Sequence, residues 1–130
     1  MIGVLVFPDF QLLDAAGPIS VFEIGARFAD NAPSIRVVAV TPGPVRSSSG
    51  VEMMARGLKP SGAITTLIVA GGEGVRQAAT CEKTLGFVRT LAKRGVRIAS
   101  DRSMPADIPA DVQTSPSRTK MRSGSSLTCG

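Results

Sequence analysis

The chain has no histidine, no tryptophan and no tyrosine, and only two cysteines, Cys81 and Cys129. Lacking histidine, it lacks the commonest metal ligand and the commonest general base near neutral pH, which excludes histidine triads, zincins and zinc fingers. Lacking tryptophan and tyrosine, it offers no platform on which nucleic-acid bases would stack. Two cysteines are too few for a disulfide framework. No apolar run approaches the ~18 residues of a membrane helix. The opening stretch, Met1 to Phe7, has neither a basic n-region nor a small-residue cleavage site, so it reads as a first strand and the expected location is cytoplasmic.

What is present is an ordinary globular balance. Of 130 residues, 43% are hydrophobic and 19% charged, enough for one domain with an ordered core and short for two. The net charge of +5 raises the question of nucleic acid, but the basic residues are scattered. Lys93, Arg94 and Arg97 form the one cluster, and a solvated helix end accounts for it.

Ile2 to Phe7 is a short apolar run with β-branched members, closed by Pro8, as expected of a buried parallel strand. From Gln11 to Ala29 the apolar positions mostly follow helical spacing. Gly17-Pro18 interrupts them, which predicts a short turn first and the main helix from Pro18 onward, with the proline at its N-terminus. Ile35 to Thr41 reads as a second strand and Pro42-Gly43-Pro44 as a turn. Val45 to Met54 reads as a hairpin excursion, Gly57 to Ala63 as loop, and Thr65 to Ala70 as a third buried strand ending in Gly71-Gly72-Glu73-Gly74. Helix is expected weakly over Val75 to Ala79 and strongly over Glu82 to Arg94, with Gly95 as its stop. Val96 to Ser100 is the next strand. Strands alternating with helices predict an α/β three-layer sandwich around a mainly parallel sheet. Residues 101–130 change character: they hold no Phe, one each of Leu, Ile and Val, and many Ser, Pro, Arg and Thr. Such a segment buries too little apolar surface to offset roughly 1–2 kcal/mol of backbone entropy per ordered residue. The expected organisation is therefore a domain over 1–100 and a disordered tail over 101–130.

Four segments, in this order, carry a resemblance to a known group. Phe7-Pro8-Asp9-Phe10-Gln11-Leu12-Leu13-Asp14-Ala15-Ala16-Gly17-Pro18 resembles the first strand-to-helix junction of ThiJ/PfpI proteins, which have the flavodoxin-like, class I glutamine amidotransferase-like fold. Pro44-Val45-Arg46-Ser47-Ser48-Ser49-Gly50 is similar to that group's hairpin. Ala70-Gly71-Gly72-Glu73-Gly74-Val75 is similar to its glycine loop, with Ala70 where proline is usual. Arg97-Ile98-Ala99-Ser100 is similar to the strand that leads into its nucleophile elbow. Within the group, the sequence most resembles the sensor domain of AraC-type transcription regulators and, as an alternative, the isonitrile hydratases. Glu23-Ile24-Gly25-Ala26-Arg27 and Gly72-Glu73-Gly74-Val75-Arg76 look more like the sensors.

The resemblance implies chemistry for particular residues. Asp14 stands at the family's acidic position, where a carboxylate can exchange a proton with a substrate; read from the chain alone, it is a carboxylate favoured by a helix N-terminus. Gly71, Gly72 and Gly74 stand where the family forms an oxyanion hole from backbone N–H groups. The same loop, with Glu73 and with Arg46 of the hairpin, is the expected ligand-binding set, since open α/β sheets bind ligands at the carboxyl ends of their strands. The plain alternatives are a turn for the glycines and a solvated hairpin tip for Arg46-Ser47-Ser48-Ser49. Cys81 reads as an inert, partly buried thiol.

After Ser100 the family continues with a cysteine nucleophile in a strained turn, whereas this chain has Asp101-Arg102-Ser103-Met104-Pro105. Pro105 and Pro109 also disfavour an uninterrupted helix. Covalent catalysis needs a nucleophile held at the strand end, so no catalytic residue is assigned. The reading is a fold incomplete at its C-terminus, truncated or frame-shifted: Met104-Pro105 are encoded by ATG CCN, and one base on that reads TGC, cysteine. The expected function is a ligand-sensing domain of an AraC-type regulator without its DNA-binding domain and without the family nucleophile. The alternative is an incomplete isonitrile hydratase or hydrolase-like enzyme. A small-molecule effector and a homodimer are the expected partners. Neither direct nucleic-acid binding by this chain, nor membrane, cofactor or metal is expected.

Overall fold

A computed structural model describes residues 1–59 and 63–100; the expected tail over 101–130, with Cys129 and the frame-shift reading, lies outside them. The elements run β1 (Ile2–Leu5), α1 (Leu12–Ala26), β2 (Ile35–Ala39), β3 (Gly43–Arg46), β4 (Glu52–Gly57), β5 (Thr66–Val69), α2 (Val75–Ala78), α3 (Glu82–Lys93) and β6 (Arg97–Ser100). They form a six-stranded sheet in the order β3-β4-β2-β1-β5-β6. All pairings are parallel except β3 with β4, the hairpin. This is the expected α/β architecture.

The register explains which residues make the core. Val4 pairs with Val37 and Ile68, and Leu5 with Val38 and Val69, so β1 sits at the centre and all its residues are buried. From β1 the chain steps through α1 to β2 on one side, and from β5 through α2 and α3 to β6 on the other. Right-handed crossovers in opposite directions place α1 on one sheet face and α2–α3 on the other. Leu5 and Val69 turn toward α2 and α3 and share a cavity with Val75, Leu85 and Val88. Val4 and its neighbours on the opposite face lie under α1, which packs on β1 and β5.

Helix α3 is amphipathic as its spacing predicts. Thr84, Val88 and Leu91 are buried, while Lys83, Arg89 and Lys93 are exposed. Gly95, at φ +74°, ends it. The expectation for α1 needs correction: the helix begins at Leu12 and runs through Pro18 without a separate turn. Gly17 lacks the Cβ that would otherwise collide with the proline ring, and the break is confined to the one N–H that Pro18 lacks. Among the described residues no helix is long and apolar enough to cross a membrane.

Candidate functional site at the carboxyl ends of the strands

Connections leave β1 and β5, which are neighbours, in opposite directions. A sheet with this topology opens a crevice beyond the carboxyl ends of those two strands, where ligands bind in open α/β proteins. Here the crevice is occupied by the chain's own loops. The β1–α1 segment, Pro8 to Gln11, lies between the β3–β4 hairpin and the glycine loop. Phe10 bridges Ser47 on one side and Gly72 on the other.

Backbone hydrogen bonds stitch these segments together. On the hairpin side, Asp9 N–H donates to the Arg46 carbonyl (3.0 Å) and Ser48 N–H donates to the Phe10 carbonyl (3.0 Å). On the glycine-loop side, Gln11 N–H donates to the Gly71 carbonyl (2.7 Å) and Gly74 N–H to the Asp9 carbonyl (3.2 Å). Phe10 is fully buried beneath them and Ser47 is 1% exposed, with its hydroxyl 2.9 Å from that of Ser49. Asp9 holds φ +60°, a left-handed conformation that is uncommon for a residue with a side chain. Its two backbone bonds, to opposite neighbours, hold it there.

Two glycines are required by close approach. A Cβ on Gly72 would stand 2.5 Å from the Gln11 nitrogen and 2.7 Å from the Asp9 oxygen, at a φ of +120°. A Cβ on Gly74 would fall on the Pro8 carbonyl oxygen. Both are backbone atoms that a side-chain rotation cannot move aside, so the glycine loop and the β1–α1 loop are built as one piece.

Asp14 joins the same piece. Its carboxylate accepts a hydrogen bond from Gly71 N–H at 3.0 Å, from the first turn of α1. A carboxylate bonded to backbone N–H is a charge-assisted contact, and here it ties the helix start to the loop after β5. The structure thus brings Asp14, Gly71, Gly72 and Gly74 together. The N–H groups of Gly71 and Gly74 point inward, to Asp14 and to Asp9, which is the structural use of a glycine turn. Glu73 is exposed at the rim. Arg46 joins through its carbonyl, while its exposed side chain lies over Gly50, 3.4 Å from where a Cβ there would stand.

Ser100 closes β6 opposite Val69. It lines, with Leu5, Phe7, Val69, Val75, Thr84, Leu85 and Val88, an apolar cavity of about 30 Å³ beneath α2 and α3, room for about one water. Cys81 precedes α3, is buried and is not a free thiol, which corrects its reading as a thiol. Among the described residues no group of three or more metal-ligating side chains meets.

Two features escaped the sequence reading. One is the burial of Phe10, a single aromatic among Pro8, Asp9 and Gln11; an aromatic inside an otherwise polar loop was the available signal. The other is the inequality of the three hairpin serines, for Ser47 is buried while Ser48 and Ser49 are exposed, and nothing in a run of identical residues marks which one turns inward.

This architecture is that of the ThiJ/PfpI/DJ-1 superfamily. The solved structures it matches include a ThiJ/PfpI family protein from Pseudomonas syringae (27% identity, TM-score 0.64, covering 76% of this chain and 40% of that one). A ThiJ/PfpI domain protein from Brachyspira murdochii matches at 15% identity and TM-score 0.65, covering 85% and 62%. An AraC family transcriptional regulator from Pseudomonas putida matches at 12% identity and TM-score 0.59, covering 76% and 54%. The chain therefore spans about half the length of the solved structures it resembles. No protein-family model and no curated protein sequence matches it.

Proposed function

We propose that the chain is a ThiJ/PfpI-like ligand-sensing module of the AraC-regulator type, which binds a small molecule at the stitched loop platform and does not turn it over. The observation that carries this reading is at the end of β6. Ser100 completes the strand beside Val69, next to the crevice, and the residue that follows is Asp101, where the resemblance implies a cysteine. Asp14, at the family's acidic position, holds the glycine loop through Gly71. Backbone bonds fix the loops at this end of the sheet, the side chains of Arg46 and Glu73 are exposed on them, and the implied effector is a small polar or anionic molecule that the Arg46 guanidinium can grip. On this reading the chain is cytoplasmic, takes no cofactor, and leaves DNA contact to another domain.

The test is a calorimetric titration of the purified chain with a panel of small carboxylates and amides, alongside turnover assays with an isonitrile and a simple ester. Saturable binding that weakens on Arg46→Ala, with no turnover, is the expected outcome. Turnover of either substrate above the buffer rate overturns the reading and supports the hydratase alternative.

A further inference from the structure

Three threonines in and beside α3 treat their hydroxyls differently. Thr80 Oγ1 donates to the Gln77 carbonyl at 2.9 Å, and Thr90 Oγ1 donates to the Gly86 carbonyl at 2.7 Å. Bonding back to the preceding turn is the ordinary resolution for a threonine on a helix. Thr84 makes no side-chain hydrogen bond among the described residues, although it is only 7% exposed. It shares the buried stripe of α3 with Val88 and Leu91, where valine would fill nearly the same shape without a polar atom. Among the described residues no side-chain oxygen is both sealed from solvent and unpaired. The Thr84 hydroxyl therefore opens on a space, and that space is the cavity it lines with Leu85, Val88 and Ser100. A hydroxyl held against apolar walls is costly until something pairs with it. The helix start adds a second donor on the same residue. Cys81 supplies no side-chain cap, and the first N–H within α3 to be bonded among the described residues is that of Leu85, to the Cys81 carbonyl at 2.9 Å.

We propose that this cavity is a second binding site, for a small neutral molecule with one oxygen acceptor and a short alkyl group, the chemistry of an aliphatic ketone. The ligand oxygen accepts from the Thr84 hydroxyl. The enclosed space of about 30 Å³ holds one water-sized group, and the oxygen takes it. The alkyl carbons extend along Val88 and half-buried Leu85 toward exposed Ser100, where the cavity is not sealed. A carboxylate is excluded, because walls such as Leu5, Val69 and Val88 would strip its water without returning a charge. The site stands apart from the loop platform: Thr84, Leu85 and Val88 have no part in it, and the ligand chemistry is different.

Titration of the full 130-residue chain with 2-butanone, followed by the methyl NMR signals of Leu85 and Val88, tests it. The expected result is saturable shifts at both residues, with 2-methyl-1-butene, of the same shape but without the oxygen, binding about fivefold more weakly. Thr84→Val removes that preference and leaves the thermal midpoint unchanged or raised. Should Thr84→Val disturb the helix, Ala79→Leu, on the half-buried wall of the cavity, fills the space and abolishes the shifts while Thr84 keeps its hydroxyl. The absence of saturable shifts, meaning that the space takes water only, overturns the proposal. So does a preference for the ketone that survives Thr84→Val, or binding that persists in Ala79→Leu.

Discussion

The two ends of α1 are built on opposite terms. At its start, Asp14 is tied to Gly71, Gln11 to the same residue, and Ala15 is sealed against the sheet. From Ser20 to Ala26 every residue is exposed, although Val21, Phe22 and Ile24 are as apolar as the core. One helix thus joins a region where backbone groups are matched within the fold to a region whose apolar surface is exposed among the described residues. Apolar content alone did not decide burial here. What decided it was whether a residue faced the sheet or the crevice between β1 and β5, where three loops converge from distant parts of the chain.

The contrast is broken most severely at the glycines. Gly74→Ala drives a Cβ into the Pro8 carbonyl, and overpacking against backbone predicts a loss of about 3 kcal/mol or more, read as a fall in the urea midpoint or as failure to fold. Next in size, Asp14→Ala removes the acceptor of Gly71 N–H. The orphaned donor and lost charge-assisted bond predict a loss of about 2 kcal/mol, measurable by the same unfolding curve. Asp9→Gly works in the other direction: the left-handed conformation is free for glycine, and relief of that strain, less the added unfolded-state entropy, predicts a gain of about 0.5 kcal/mol. Smallest of all, Arg27→Gln breaks an ion pair whose partners are 69% and 63% exposed. It shifts stability by at most about 0.5 kcal/mol, and the shift shrinks further in 0.5 M salt. A ranking in which Arg27→Gln rivals Asp14→Ala would erase the distinction between the two ends.

Much of the fold was legible because strand and helix left different periods in the sequence. Ile2 to Phe7, Ile35 to Thr41, Thr65 to Ala70 and Val96 to Ser100 each contain the observed strand, and the expected second and third helices match α2 and α3 within a residue or so. The error at α1 came from weighing Pro18 as a breaker. A proline removes one hydrogen bond, and a preceding glycine removes most of the steric conflict, so the helix tolerates it. The candidate site was legible as a set of segments but not as a set of contacts. That Gly71 and Asp14 meet depends on bonds spanning 57 residues, and no local pattern encodes a partner so distant. Likewise, the apolar outer stripe of α1 was visible as letters, yet a helix hydrophobic on both sides looks from sequence like one buried on both sides.

The stitching of Asp9 to Arg46 and of Gln11 to Gly71 has a kinetic consequence. These bonds join positions far apart along the chain, so the loop entropy of closing them is met only after the central strands have aligned. The platform is then among the last parts to form and, because each bond depends on its neighbours, it opens as a unit. Amide exchange at Asp9, Gln11, Ser48 and Gly74 is expected to follow one common opening rate, slower than at the tip of the hairpin and faster than at Val4 and Leu5.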